Sequence, residues 1–306
     1  MHADRLTALV ATIALVSATP LPQAPTGTKP DPFTSGTSTD PFAPNGILGG
    51  LLLSFGNVTN GPAPKGCSKY ELIVARGTGE PGPFGTIVGD PLVASVTKTL
   101  PGSRGYAVQY PANFNLQYSP QQGMDDVINR LNNQNKECPD QTFVAVGYSQ
   151  GAGVWHNALG PSPGAPLPLL PSPRPKLDAS VIPKIKAFVM FGDPGFKGTE
   201  GPMNTYSPPF PSAINAVLRE NCAPGDPVCD PAGSGFQNHL TYVEGAYQRD
   251  SVAFILAGFS GQPLPKSYKN SNDTAWIAMT TAAKTQSKPW GTIVYNIVTN
   301  FLKGLL

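Results

Sequence analysis

The sequence predicts an α/β fold, in which a parallel β-sheet carries helices on both faces. Four short runs of apolar or β-branched residues are typical of strands buried on both sides: YELIVA (70–75), YAVQY (106–110), FVAVG (143–147) and KAFVMF (186–191). Helical patterns separate these runs, and alternating strands and helices favour a parallel sheet. The chain has 306 residues, which is long enough to bury one sizeable core.

Two helices are predicted between the first three strands. Asp90 is expected to cap the first helix, because Pro91 follows it at the position that proline prefers, and Pro101-Gly102 ends the helix. Ser119 and Gln122 have the spacing of a capping box at the start of the second helix. Apolar residues then recur at helical spacing, namely Met124, Val127, Ile128 and Leu131.

The two ends of the chain differ in composition from this central domain. Arg5, an apolar run and small residues near Ala18 are typical of a signal peptide, so residues 1–18 are expected to be removed on secretion. Residues 19–61, rich in Pro, Gly, Ser and Thr, are interpreted as a linker or pro-segment, within which GILGGLLLSF is expected to dock as a short helix. The folded domain then spans 62–262, and 263–306 is a C-terminal extension.

Two further segments interrupt the regular pattern. The proline-rich stretch 160–176 is expected to be an exposed stiff loop, with a flap over the site as the alternative. The apolar end of the chain contains Asn296, Asn300 and Lys303, which argue against a lipid-anchor signal and hence against a stable membrane anchor.

The composition excludes several classes of function. A formal net charge of +2 with 13% charged residues does not favour a nucleic-acid partner. The sequence has no His-x-x-x-His or Cys-x-x-Cys spacing, and no glycine loop with a lysine follows a strand. We therefore expect no metal and no cofactor.

The four cysteines are expected to form two disulfides, because a secreted protein meets an oxidising environment. Cys67 and Cys138 each stand five residues before an apolar run, so neighbouring parallel strands would bring the two sulfurs to one level. That pairing leaves Cys222 with Cys229, which would close a small loop.

The stretch VAVGYSQGAG (144–153) is the strongest candidate for a catalytic motif. With Phe143, four β-prone residues (FVAV, 143–146) precede Gly-Tyr-Ser-Gln-Gly, and a helix-compatible stretch follows it. A strand that turns sharply into a helix between two glycines holds the serine hydroxyl clear of the sheet. Ser149 is therefore the candidate nucleophile.

A nucleophilic serine needs a base, and the chain has three histidines. His2 is expected to leave with the signal peptide. His156 lies seven residues after Ser149 on the same predicted helix, which would carry its ring away from the serine, so it is interpreted as a helix-surface or half-buried residue. His239 lies in a loop-like segment downstream of the sheet and is the candidate base.

The third member of a triad is an acid that orients the histidine. Asp226 is the preferred candidate, because a Cys222–Cys229 bridge would hold its loop in place. Asp193 follows the last apolar strand, in a GDPG turn, and Asp230 lies just outside the bridged loop, so both remain alternatives. The chain order would be serine, aspartate, histidine, as in α/β hydrolases.

These residues together resemble the cutinase family of secreted serine esterases. The resemblance includes GYSQG at 147–151, ARGTGE at 75–80, a Cys-Pro pair before the nucleophile strand, and a bracketed aspartate and histidine at 222, 226, 229 and 239. It covers roughly 67–245 and implies a three-layer α/β hydrolase with a central five-stranded parallel sheet and two disulfides. It also implies an oxyanion hole formed by Thr78 and Gln150, where the family often has serine in place of threonine.

The resemblance implies cleavage of lipid or polyester esters through an acyl-enzyme, by a monomer whose partner is its ester substrate. Deacetylation of polysaccharides remains an alternative, because YPANF (110–114) and the YSPQQG that follows resemble the acetylxylan-esterase branch. A catalytically inactive secreted binding protein on the same scaffold is the alternative of another class. Phe236 and Leu240 flank the candidate histidine and are expected to line an acyl pocket or, equally, to be local packing.

Overall fold

The computed structural model describes the central part of the chain, namely residues 60–116, 118–159, 174–197, 210–230, 233, 235–243 and 245–265. The predictions for the signal peptide, for GILGGLLLSF, for most of the proline-rich stretch and for nearly all of the C-terminal extension lie outside these residues.

A five-stranded parallel sheet confirms the predicted fold class. Its strands are β1 (Tyr70–Ala75), β2 (Ser103–Ala107), β3 (Thr142–Tyr148), β4 (Ile185–Phe191) and β5 (Leu218–Asn221). Their order in the sheet is β2-β1-β3-β4-β5, and every neighbouring pair is parallel. All five carboxyl ends therefore lie along one edge, where open α/β sheets bind their ligands.

Helices cover both faces of this sheet. They are α1 (Asp90–Thr99), α2 (Ser119–Glu137), α3 (Gln150–Leu159), α4 (Ser212–Asn215), α5 (Phe236–His239) and α6 (Ala246–Phe259). Shorter 3₁₀ segments are Ala179–Lys184, Pro194–Lys197 and Thr241–Val243, and a π-helical turn at Gly85–Gly89 leads into α1. No helix in the described part of the chain is long and apolar enough to cross a membrane.

Two hydrophobic clusters form the core, one on each face of the sheet. Strand β1 contributes Ile73 to the cluster that contains side chains of α2 and α3. It contributes its neighbours Leu72 and Val74 to the cluster that contains side chains of α1 and α6. Successive side chains of a strand point to opposite faces, so this division produces the three layers of the fold.

Strand β2 begins and ends three residues earlier than predicted. It starts with the polar residues Ser103 and Arg104, and Arg104 Nε donates a 2.7 Å bond to Glu71 on the neighbouring strand. At Gln109 the backbone N–H instead donates to Asp126 of α2. Because β2 lies at the edge of the sheet, its polar first half is tolerated there, and the apolar run alone misplaces it.

Both predicted helix caps are wrong. Asp90 is the first residue of α1, which continues directly from the π-helical turn, so the helix needs no side-chain cap at this point. Tyr118 occupies the N-cap position of α2 and makes no side-chain cap bond. The hydroxyl of Ser119 instead bonds to Gln150 of α3, 31 residues away.

The two disulfides have the pairing that the sequence favours. Cys67 bonds to Cys138, and Cys222 bonds to Cys229. The first pair lies just before β1 and β3, which are neighbouring strands in register from Tyr70 with Thr142. The second pair closes the loop that follows β5.

The proline-rich stretch is anchored at Arg174, which is buried where an exposed loop is expected, whereas Lys176 is exposed. Arg174 is 7% exposed, and its guanidinium contacts the Asp125 carboxylate at 2.6 Å. It also donates to the side chain and the backbone carbonyl of Gln121 in α2. The chain is therefore fixed to α2 before it enters β4.

Candidate active site

Ser149 lies at a sharp turn between β3 and α3. Strand β3 ends at Tyr148 and helix α3 begins at Gln150, so one residue joins them. Its φ of 53° is in the left-handed region, which a non-glycine residue seldom adopts. The Ser149 N–H donates to the Phe191 carbonyl at 2.9 Å, which ties the turn to the end of β4. Such backbone strain clusters at active sites, where the surrounding structure maintains it.

The glycines on either side of the serine are required by close packing. A Cβ at Gly147 would lie 2.8 Å from the Cα of Ala152 in α3. A Cβ at Gly151 would overlap the carbonyl oxygen of Ala75 at the end of β1. The helix therefore approaches the sheet so closely that only glycine fits at these two positions.

His239 and Asp226 form a buried pair. The Nδ1 atom of His239 lies 2.8 Å from Asp226 Oδ2, and their side chains are 2% and 0% exposed. The carboxylate also accepts bonds from the Tyr242 hydroxyl and from the Val228 N–H. Burial by itself raises the pKa of Asp226, but the charge and hydrogen bond of His239, together with these other donors, hold it below its ordinary value. The carboxylate stays ionised and fixes the imidazole.

The second ring nitrogen of His239 is available for chemistry. Nε2 is buried and has no hydrogen-bond partner among the described residues. The ring stacks on Tyr148, with 4.9 Å between the ring centroids, and the Tyr148 hydroxyl donates to the His239 carbonyl at 2.7 Å. The histidine thus packs against the residue that directly precedes Ser149.

Each of the alternative acids has a hydrogen-bond partner other than this histidine. Asp193 Oδ2 lies 2.7 Å from Nε2 of His156, and both side chains are buried. His156 is therefore buried, and the prediction of a helix-surface or half-buried residue is wrong. The Asp193 carboxylate, in the turn after β4, offsets the cost of burying the imidazole. Asp230 accepts a bond from the Gly225 N–H and so stabilises the loop that carries Asp226.

Thr78 and Gln150, the two predicted oxyanion-hole residues, are in contact. Gln150 Nε2 donates to Thr78 Oγ1 at 2.9 Å and to the carbonyl of Asn113 at 2.7 Å. Gln150 is also the first residue of α3, and the N–H groups in a helix's first turn have no intrahelical acceptor. Its backbone N–H can therefore donate to a developing oxyanion.

Glu80 and Arg76 stabilise the loop that carries Thr78. Both lie in ARGTGE, but the sequence motif did not assign a role to either of them. Glu80 accepts bonds from the Gly77 N–H at 2.6 Å and the Ile87 N–H at 2.8 Å. Burial, outweighing these two bonds, raises the pKa of Glu80 to about 7. Arg76 is 1% exposed and donates to the carbonyl of Tyr110. The sequence signal for their role is that a charged residue flanks the Gly-Thr-Gly turn on each side.

The two predicted acyl-pocket residues both pack in the core cluster on the α1 and α6 face, but they differ in burial. Leu240 is 3% exposed and belongs to the core cluster on the α1 and α6 face. Phe236 is partly buried, and its ring centroid lies 5.3 Å from that of His239. Local packing accounts for Leu240, whereas the substrate-binding role of Phe236 stays a prediction.

Known proteins share sequence and fold with this chain. A family model described as Cutinase matches residues 66–259. The chain is 36% identical over 186 residues to Phospholipase Culp4 of Mycobacterium tuberculosis, covering 60% of this chain and 76% of that protein. It is 32% identical over 195 residues to a cutinase of Hypocrea jecorina, covering 62% and 67%. A solved acetylxylan esterase structure is 27% identical with a TM-score of 0.52, over 63% of this chain and 100% of that one.

Proposed function

This chain belongs to the cutinase family and is a serine ester hydrolase, and we propose that Ser149, His239 and Asp226 perform its reaction. In this reaction Ser149 Oγ attacks the ester carbonyl carbon while His239 Nε2 accepts the hydroxyl proton. Asp226 keeps the imidazole in the correct tautomer and stabilises its charged form. His239 then protonates the departing alcohol, and water releases the acid from the acyl-enzyme in a second, equivalent step.

The Asp226–His239 pair is the observation that carries this assignment. Its 2.8 Å bond uses Nδ1, so Nε2 is left without a partner among the described residues while it lies in a buried position. A buried polar atom without a partner is rare and calls for an explanation. A substrate-side role for Nε2 supplies that explanation, since a general base must keep one lone pair free.

Stabilisation of the oxyanion is assigned to Gln150 and Thr78. The backbone N–H of Gln150 and the N–H and hydroxyl of Thr78 would donate to the negative oxygen of the tetrahedral intermediate. Each donor in such a hole is worth about 3 to 4 kcal/mol of barrier. No metal or cofactor takes part in the proposed steps.

The proposed setting of the reaction is extracellular. Two disulfides in the described residues support secretion, because disulfides persist in oxidising compartments. The signal peptide at 1–18, the catalytic domain at 62–262, the monomeric state and the lack of a stable membrane anchor are parts of this proposal. They are tested by N-terminal sequencing and mass measurement of the mature protein.

Lipid or polyester esters are the proposed substrates, with acetylated polysaccharide as the second candidate. The second candidate is favoured because the structural match covers 100% of the acetylxylan esterase chain. Rates of p-nitrophenyl ester hydrolysis from acetate to palmitate distinguish the two. Hydrolysis that extends to medium and long chains supports a cutinase-type substrate, and hydrolysis confined to acetate supports the deacetylase.

The same assay tests the proposed function itself. We expect Ser149→Ala to lose ester hydrolysis while its thermal unfolding matches the wild type. Unchanged activity in Ser149→Ala would contradict the assigned nucleophile. A folded wild-type protein that hydrolyses no ester would support the alternative of an inactive binding protein.

A further inference from the structure

We propose that Ser119 is a positioning residue of the oxyanion hole. Its hydroxyl fixes the Gln150 carboxamide, and the carboxamide in turn leaves the hydroxyl hydrogen of Thr78 free to reach the oxyanion. This inference rests on the proposed function, because it concerns the same site. Ser119 contacts neither the reacting atoms nor the substrate in this account, so its effect is indirect.

The carboxamide of Gln150 uses both ends in defined bonds. Its Oε1 accepts from Ser119 Oγ at 2.7 Å, and its Nε2 donates to Thr78 Oγ1 at 2.9 Å and to Asn113 O at 2.7 Å. Ser119 is 1% exposed and Gln150 is 7% exposed, so water does not compete for these atoms. A primary amide has two N–H donors, and both are used.

The hydrogen bonds from Asn113 through Ser119 and Gln150 to Thr78 form a chain in which every hydrogen is donated toward Thr78. The backbone N–H of Asn113 donates to Ser119 Oγ at 3.2 Å, so that oxygen accepts at one side and gives its own hydrogen to Gln150. A backbone N–H cannot accept, and a backbone carbonyl such as Asn113 O cannot donate. The Asn113 carbonyl therefore opposes a flip of the amide, and a flip would also leave the Ser119 hydroxyl hydrogen without its acceptor Gln150 Oε1.

The direction of the chain determines what Thr78 can do. Because Thr78 Oγ1 accepts from Gln150 Nε2, its hydrogen is not needed inside the protein. With the amide reversed, Thr78 would instead give its hydrogen to Oε1 and lose its donor to the substrate. Thr78 is half-buried, at the edge of the loop that follows β1.

Two further observations support a positioning role for Ser119. Ser119 lies in the first turn of α2, yet no side chain caps that helix, so capping does not explain its buried hydroxyl. Ala112, beside Asn113, has a φ of 48° and is 1% exposed, and its carbonyl accepts a 2.7 Å bond from the Gly79 N–H. The strained turn thereby joins the segment that supports Gln150 to the loop that carries Thr78.

The decisive experiment is a double-mutant cycle between Ser119→Ala and Thr78→Ala on a soluble p-nitrophenyl ester. We expect Ser119→Ala to lower kcat about tenfold, with KM within twofold, as for the loss of one hydrogen bond. Thr78→Ala should lower kcat by about 10² to 10³. The double variant should be no slower than Thr78→Ala alone, because Ser119 acts only through Thr78.

Controls distinguish positioning from general destabilisation. Ser119→Thr retains the donor and should restore kcat to within twofold of the wild type. Ser251→Ala removes a buried hydroxyl that accepts from Asn221 Nδ2, and it should leave kcat unchanged. If Ser119→Ala does not fold, Ser119→Cys takes its place in the cycle, because the thiol is close to the hydroxyl in size but is only a weak donor.

Two results would overturn the proposal: a Ser119→Ala enzyme with wild-type kcat, or equal losses from this change with and without the Thr78 hydroxyl. Ser149→Ala is measured in parallel. Activity that persists in Ser149→Ala contradicts the proposed function, whereas Ser149-dependent activity with additive losses contradicts only the role of Ser119.

Discussion

Asp193 Oδ2 lies 2.7 Å from His156 Nε2, in a second buried histidine–aspartate pair beside the candidate active site. Gly192, the residue before Asp193, faces the first pair, since a Cβ built on it would lie 2.5 Å from His239 Cε1 and 3.1 Å from Asp226 Oδ2. The two aspartates are therefore equally buried and close in the fold, but each has its own histidine. They form a matched comparison for the role of the acid.

We predict that Asp226→Asn reduces kcat by about 10³ to 10⁴. An amide at this position favours the wrong tautomer of His239 and removes the charge that stabilises the imidazolium, as in serine proteases. The measurement is single-turnover hydrolysis of a p-nitrophenyl ester at pH 8.

Asp193→Asn is the matched control for this change. We expect it to keep kcat within about tenfold of the wild type, because its partner is His156, while it loses stability through the broken buried pair. Equal losses of kcat in the two variants would contradict the assignment of Asp226 as the acid of the triad.

We predict that Glu220→Gln is tolerated at pH 7, with a change of less than about 1 kcal/mol in the free energy of unfolding. Burial, and then the charge and hydrogen bond of Asp193, raise the pKa of Glu220 well above its ordinary value, which favours the neutral carboxyl in the folded protein. Glutamine keeps its volume and supplies an N–H donor to Asp193. Urea unfolding measures the change.

Glu220→Ala provides the contrast, because it leaves Asp193 without this donor and opens a cavity. We expect it to cost about 3 kcal/mol. A Glu220→Gln variant as unstable as Glu220→Ala would show that the carboxyl is ionised.

We predict that Glu80 makes the protein less stable as the pH rises. Its folded pKa of about 7 lies above the ordinary 4.5, so its contribution to stability is complete below pH 4.5 and is lost as the pH passes 7. Between pH 4 and pH 8 the wild type should therefore lose about 3 kcal/mol more than Glu80→Gln. Urea unfolding of both proteins across this range measures the difference, and parallel curves would contradict the raised pKa.

We predict opposite outcomes for two glycines of α3. A Cβ at Gly151 overlaps the Ala75 carbonyl, whereas one at Gly153 meets nothing within 4 Å. Gly151→Ala should lose at least about 4 kcal/mol of stability or fail to fold, because backbone atoms of β1 must move. Gly153→Ala should gain up to about 1 kcal/mol, because alanine is the better helix former. Thermal unfolding compares them, and equal stability would contradict the close packing of the nucleophile turn.

The sequence predicted the central strands well because their burial on both faces leaves a local apolar signature. Strand β1 has its predicted bounds, and β3 and β4 extend theirs by one or two residues. Strand β5 was not recognised as a strand, because LREN is polar. Its residues are buried through partners distant in the chain, such as Asn221 Nδ2 with the Met190 carbonyl and Ser251 Oγ. A local sequence pattern does not reveal such distant hydrogen-bond partners.

The same limit applies to the candidate site. Ser149 follows from a local motif, and the pairing of Asp226 with His239 follows from a cysteine-bracketed spacing that fixes the loop. Ser119 has the local pattern of a helix cap, but Gln150, distant in sequence, offers its hydroxyl a buried acceptor. Tertiary partners override local propensity wherever a side chain has two possible uses.

Covalent labelling with a fluorophosphonate, followed by peptide mass spectrometry, tests the central claim most directly. We predict one adduct per chain, on the peptide that contains Ser149, in proportion to the loss of ester hydrolysis. It also predicts that labelling of His239→Ala is slower by at least about 10³, because no base activates the serine. Full inhibition with the adduct on another residue, or equally fast labelling of His239→Ala, would contradict it.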